Sequence, residues 1–234
     1  MLALLSDYEI EALTLSLKVA AYSVIWLIPV GIVVAWLLSK RDFWGKSLLD
    51  SIIHLPLVLP PVVIGYLLLI ALGRQGWAGQ WLYELLGVSF AFNWKGAVVA
   101  CFVVSLPLMV RSIRLSFDSV DHKLEQAAST LGASPIKVFF TITLPLIVPG
   151  IITGTMLSFA RSLGEFGATI SFVSNIPGET QTIPLAMYSF IETPGMESEA
   201  MRLCIISIAI ALASMMVSEW LSRVSKTRLG GSAS

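Results

Sequence analysis

Residues 121–145 read DHKLEQAASTLGASPIKVFFTITLP, and the order helix, stop, helix, apolar return in this stretch decides what kind of chain this is. Leu124, Ala127, Ala128 and Leu131 fall at i, i+3, i+4 and i+7, the spacing that gathers small and apolar groups on one helical face. Gly132 supplies a residue that turns left-handed without steric cost. Ser134 and Pro135 then restart the chain as a cap and a first-turn proline. Strongly apolar runs lie on both sides. A polar element between such runs must sit at a membrane surface and present a docking face.

The flanking runs fix the class. The chain has 234 residues, 56% hydrophobic and 13% charged, and several uncharged stretches exceed the ~20 residues that a helix needs to cross hydrocarbon. An all-α polytopic membrane protein is expected, one transmembrane domain over residues 1–234 with a loop at about 118–143 on one side. Five spans are expected, at roughly 13–38, 55–72, 96–110 (extended to 117), 144–173 and 203–221. A sixth arises if residues 76–92 dip into the bilayer. Pro29 and Gly31 interrupt the first span, and LPLVLPP opens the second with prolines in and just beyond its first turn. Between residues 73 and 94 a short amphipathic piece (Trp81, Leu82, Leu85, Leu86) and the tryptophans Trp77, Trp81 and Trp94 suit the headgroup level. Asp7, Glu9 and Glu11 are acidic where an export signal is basic, so the first run reads as a retained span. LPLVLP (55–60) and LPLIVP (144–149) echo one another, but shared helix-start chemistry explains that as well as duplication does.

Net charge is zero, so only its distribution is informative. Lys40, Arg41 and Lys46, then Arg111, Arg114, Lys123 and Lys137, then Arg223, Lys226 and Arg228 collect on one side of the five-span layout. Arg74, Lys95 and Arg202 lie on the other, all near membrane ends. The positive-inside bias places the 121–145 element and the C-terminus in the cytoplasm and the N-terminus outside.

Familiar catalytic patterns do not form. Gly45-Lys46-Ser47 looks like the end of a phosphate-binding loop, but Lys40 stands where that motif needs its first glycine. His54 and His122 stand alone, and His122 with Glu125 makes at most two ligands, so no metal cage is read. Cys101 and Cys204 lie in apolar runs and read as small buried hydrophobes. If the chain works with ATP, the nucleotide must sit on a separate subunit. The costly feature is Arg161 with Glu165, inside the fourth span. Each charge costs at least ~2.5 kcal/mol in hydrocarbon, and the i, i+4 spacing lets them pair. Either a structural pair or a pathway role fits that spacing. Gly164 and Gly167 flank Glu165 and allow a close helix approach or a local unwinding.

Two motifs carry a family resemblance. Ala127-Ala128, three residues, Gly132, nine residues, then Ile142, Leu144 and Pro145 resemble the coupling loop of importer-type ABC permeases. Gln126 stands where that family usually has glutamate, with Glu125 one residue earlier. Gln126 can hydrogen-bond but cannot make the ion pair. RSLGEFGAT (161–169) is similar to oxyanion-importing permeases, and LPLVLPPVVIGYLLL (55–69) and NIPGETQTIPLAMY (175–188) look most like the molybdate branch.

The resemblance implies the type I importer permease (MetI-like) fold in a bacterial inner membrane and a homodimer with its pathway on the dimer axis. It also implies two ABC ATPase subunits holding ATP-Mg, an external molybdate-binding protein, and no cofactor on this chain. It assigns coupling to Glu125, Gln126, Ala127, Ala128, Gly132 and Pro145. The residues themselves suggest Arg161, Glu165, Ser158, Ser162 and Thr169 for the translocation path. Sulfate, thiosulfate or tungstate are rival substrates. A redox-complex membrane anchor is a rival of another class, though it would need intramembrane haem histidines.

Overall fold

The computed structural model describes residues 5–230, and the described residues form helices joined by short turns. In chain order these are α1 (Asp7–Lys40), α2 (Lys46–His54), a 3₁₀ turn (Leu55–Leu57), α3 (Pro61–Leu72), α4 (Trp77–Leu86) and α5 (Trp94–Asp118). There follow α6 (His122–Thr130), α7 (Pro135–Val138), a π turn (Phe139–Thr143), α8 (Leu144–Leu163), α9 (Gly167–Val173), α10 (Ile183–Glu192) and α11 (Glu197–Gly230). Among the described residues four helices are long and apolar enough to cross a membrane: Asp7–Lys40, Trp94–Asp118, Pro135–Leu163 and Glu197–Leu221. The side chains of Leu86 and of the tail cations Arg223, Lys226 and Arg228 lie outside the described part.

The second expected span is not one helix. Pro56, Pro60 and Pro61 withdraw three backbone donors within six residues, so no α-helical turn can run through them. The chain instead bends by 114° between Lys46–Leu57 and Pro61–Leu72. At 12 residues α3 rises only ~18 Å, short of a ~30 Å hydrocarbon core. Counting the bent pair as one crossing gives five.

The fourth span also departs from expectation, at both ends. No helix start occurs at Leu144, because the helix already runs from Pro135 to Leu163. Pro145 would collide with the carbonyl four residues back in a regular α-helix. The π turn over Phe139–Thr143 relieves this, with the Leu144 N–H reaching back five residues to the Phe139 carbonyl. At its C-terminal end the helix does not continue to residue 173. It stops at Leu163, and α9 restarts after Gly164, Glu165 and Phe166.

The centre of the molecule is α5, with α1 on one flank and α8 on another. Leu27, Ala35 and Leu38 of α1 pack with Met109, Val110, Ile113 and Phe117 of α5 and Ile147 of α8. A second cluster joins Val19, Ile64, Cys101, Val104, Ala168 and Phe172 from α1, α3, α5 and α9. There α3 and α9 touch through backbone: a Cβ on Gly65 would meet the Ala168 carbonyl and lie 2.8 Å from the Ser171 Cβ. A third cluster (Ala12, Ile183, Ala186, Phe190, Ala200, Leu203) seats α10 between α1 and α11.

Candidate functional site

The hairpin of α6 and α7 is built as the turn residues dictate. Asp121 caps α6, its Oδ1 accepting from the Lys123 N–H at 2.9 Å. Gly132 adopts φ +82°, and the Ala133 N–H returns to the Ala128 carbonyl at 3.1 Å, a six-to-one closure of a helix end. Ser134 then caps α7, accepting from the Lys137 N–H at 3.4 Å. No residue of α6 is buried. Gln126 and Ala127 are exposed, Ala128 is half-buried, and Leu131 at the tip is 89% exposed. Pro145, half-buried, lies just past the π turn on its membrane side.

Glu125 faces the other way. Lys40 Nζ, at the last residue of α1, donates to Glu125 Oε2 at 2.7 Å. Thr143, the last residue of the π turn, donates its hydroxyl to Glu125 Oε1 at 2.8 Å. His122 Nδ1 lies 3.2 Å from Lys40 Nζ and 3.3 Å from Glu125 Oε2. Burial opposes ionisation of Glu125, but the hydrogen bonds from Lys40 and Thr143 and the Lys40 charge outweigh it and hold the carboxyl below its ordinary value. An ion pair thus forms beside the position where Gln126 rules one out, and it is made within the chain. Two neighbouring links brace the same end: Ser39 Oγ donates to Asp118 Oδ1 at 2.5 Å, and Arg114 pairs with Asp50 of α2 at 3.0 Å.

The polar residues within the membrane separate into two groups. Arg161 and Glu165 pair, Nη1 to Oε2 at 2.7 Å, with the arginine side chain 31% exposed and the glutamate 1% exposed. The contact is close without the alignment of a hydrogen bond. Glu165 Oε1 accepts from the Ala168 N–H at 2.7 Å, so this carboxylate caps the restarted helix α9. Thr169, fully buried, donates to the Phe166 carbonyl at 2.8 Å.

Ser158 and Ser162 lie elsewhere, in the seam between α8 and α5. Ser158 donates to the Ser105 carbonyl at 3.4 Å, Ser162 Oγ lies 3.2 Å from Ser105 Oγ, and the Ser162 carbonyl accepts from Cys101 at 3.6 Å. Gly150 and Gly154 extend the seam, and Ser112 donates to the Gly150 carbonyl at 2.9 Å. Residues 150, 154, 158 and 162 recur every four positions, a small-residue stripe of the kind that lets membrane helices approach. That period was the available signal for the seam. Among the described residues no three His, Cys, Asp or Glu side chains gather as a metal-ligand set.

A further cluster escapes any reading by spacing. Glu9, fully buried, accepts from Arg202 Nε at 2.9 Å and from Nη2 at 3.2 Å, and Arg202 also reaches Glu199 at 2.9 Å. The Ser6–Glu9 capping box that holds Glu9 was legible; its partner 193 residues away was not. This cluster puts the starts of α1 and α11 at one end of the molecule, opposite the hairpin.

Residues 27–229 match the family profile of binding-protein-dependent transport system inner membrane components. The molybdenum transport system permease protein ModB of Escherichia coli K12 is 63% identical over 227 residues, spanning 97% of this chain and 99% of that one. Its namesake in Haemophilus influenzae is 62% identical over 222 residues, 95% of this chain and 97% of that one. Among solved structures, a bacterial ABC transporter that imports alginate shares the fold at TM-score 0.75 and 19% identity, over 93% of this chain and 80% of its own.

Proposed function

The chain belongs to the binding-protein-dependent transport system inner membrane components, and from that membership we propose that it is the permease subunit of an ATP-driven importer carrying molybdate. The observation that carries the reading is the 63% identity to a molybdenum permease across essentially the whole of both chains. Fold likeness alone cannot name a substrate; identity at this level across every span supports one.

In this reading the working assembly is a homodimer with two ABC ATPase subunits, which hold ATP-Mg, and an external binding protein that delivers the oxyanion. The Lys/Arg bias puts the hairpin and C-terminus in the cytoplasm and the N-terminus outside. The loop at about 118–143 is the coupling element of a single transmembrane permease domain. The docking surface is its tip (Ala127, Ala128, Leu131, Gly132), with Gln126 beside it. ATP binding draws the two ATPases together, the hairpins follow, and packed helices shift between discrete arrangements that open one side and then the other.

The membrane polar residues suit a path that passes a dianion without trapping it. Arg161 keeps a third of its side chain exposed while its charge is offset by buried Glu165 at 2.7 Å, so the local field is only weakly attractive. Ser158, Ser162 and Thr169 are buried with their hydroxyls committed to neighbouring groups, so they pack behind the pair and leave no free donor to hold a passing oxyanion.

The test is uptake of isotope-labelled molybdate by cells lacking this chain and by cells in which it is restored, with sulfate and tungstate as competitors. Restored uptake that excess sulfate leaves unaffected supports the reading. Uptake indifferent to the chain, or abolished by equimolar sulfate, refutes it.

A further inference from the structure

α6 is attached to the body of the protein by polarity, not by packing. None of its residues is buried, and the apolar side chains Leu124 and Leu131, in the helix and at its C-cap, are 48% and 89% exposed. Its other side-chain hydrogen bonds are internal to the hairpin, as with Ser129 to the Glu125 carbonyl and Thr130 to the Ala127 carbonyl. Among the described residues, the side-chain links from α6 to the rest of the molecule are those of Glu125 and His122, and they end on Lys40 and Thr143.

A first-turn glutamate that served only its own helix would need no such partners. Here the two carboxylate oxygens go to two different elements. One engages the last residue of α1, at 2.7 Å, and the other the residue that leads from the π turn into α8, at 2.8 Å. Both ion-pair partners are largely shielded, with side-chain exposures of 15% and 21%, so bulk solvent screens the contact less than it screens a surface pair.

Each attachment point leads further. α8 packs along α5 through the small-residue seam. α1 runs 34 residues to the opposite end of the molecule, where Glu9 holds Arg202 of α11 and Ser16 Oγ accepts from the Ile183 N–H of α10 at 2.6 Å.

We propose that Lys40, Glu125 and Thr143 form a strut that transmits displacement of the docking hairpin into α1 and α8 together. These are positioning residues: they touch neither transported ion nor nucleotide. The proposal rests on the permease reading above, and it differs from a docking role for the glutamate in placing the charge on the body side of α6.

The experiment uses the complete transporter in proteoliposomes, reading the ratio of molybdate imported to ATP hydrolysed alongside co-purification of the ATPase. Lys40→Met, Glu125→Gln and Thr143→Val should each lower that ratio about fivefold or more while the ATPase still co-purifies. Thr143→Ser should retain the ratio, and the exchange Lys40→Glu with Glu125→Lys should recover part of what either single change loses. Unchanged ratios overturn the strut. So does loss of ATPase binding with the ratio intact in the remaining complexes, which would put Glu125 on the docking face. Should the unaltered chain hold no ATPase at all, the permease reading itself fails, and that outcome is distinguishable from the other two.

Discussion

Gly150→Ala tests whether α5 and α8 form a single rigid seam. A Cβ built on Gly150 would lie 2.7 Å from the Ser116 Cβ and 2.8 Å from the Ser112 carbonyl oxygen, with the Ser116 hydroxyl nearer still. Carbon atoms rest at about 3.5–4.0 Å, so the helices must part by roughly 0.8 Å or α5 must shift its backbone. The Ser112 hydrogen bond to the Gly150 carbonyl, 2.9 Å, stretches in consequence. Overpacking costs about 1–3 kcal/mol and an interhelical bond in a membrane about 0.6 kcal/mol. Alanine returns about 1 kcal/mol of helix propensity, leaving a net loss of about 0.6–2.6 kcal/mol.

Gly164→Ala is the matched control, since its Cβ would meet only the Ala160 carbonyl, at 3.9 Å. Thermal unfolding in detergent should place Gly150→Ala several degrees below Gly164→Ala, on a scale of about 2–4 °C per kcal/mol for a chain of this size. Adding Ser116→Gly should recover part of the difference. A Gly150→Ala protein as stable as the control would mean that the helices do not approach as described, and a rigid seam could not carry motion between them.

Three other perturbations probe neighbouring parts. Gly132 sits at φ +82°, and a Cβ there would have nothing within 4 Å, so backbone strain of about 1–2 kcal/mol is the intramolecular penalty for a side chain at this position. Uptake assays should find Gly132→Asn milder than Gly132→Val, with membrane insertion unchanged in both; equal loss in both would remove strain as the cause. Arg202→Met leaves the Glu9 carboxylate buried without its bidentate partner, whereas Glu9→Gln leaves Arg202 paired with Glu199. The melting temperature should therefore fall further in the arginine variant, and the reverse order counts against the pairing. The third perturbation is pH. Glu125 has its carboxyl held below its ordinary value, so the contact it makes is fully present above the ordinary carboxylate range and is lost as pH falls through the depressed value. Import per ATP should hold steady across the neutral range. A fall within that window that is absent from Glu125→Gln would contradict the assignment.

What could be read from the residues was local. Asp121, Gly132, Ser134 and Pro135 each have one favoured place in helix ends, and the hairpin follows from them. The long apolar runs likewise fix the crossings at α1, α5, α8 and α11. What escaped depended on how turns or distant elements compete. Three closely spaced prolines at 56, 60 and 61 suit a helix start taken singly, yet together they bend the chain by 114°. Pro145 looked like a helix start because an α-helix excludes it, and the π turn is the alternative that periodicity does not reveal. Gly164 and Gly167 signalled a possible unwinding; whether it occurred depended on α9 packing against Gly65 of α3. Ser158 and Ser162 drew notice as hydroxyls in a membrane, when their spacing from Gly150 and Gly154 was the stronger sign.

If an exposed hairpin at one end of this helical bundle receives force from a nucleotide-binding subunit, the two must touch at the membrane surface. A photo-crosslinking amino acid placed at Leu131, 89% exposed at the hairpin tip, and a second at Val33, 62% exposed on α1, test that contact in native membranes. A covalent adduct with an ABC ATPase is expected from position 131 and none from position 33. Position 131 yielding only lipid adducts, or no adduct while the membranes still import molybdate, would contradict it.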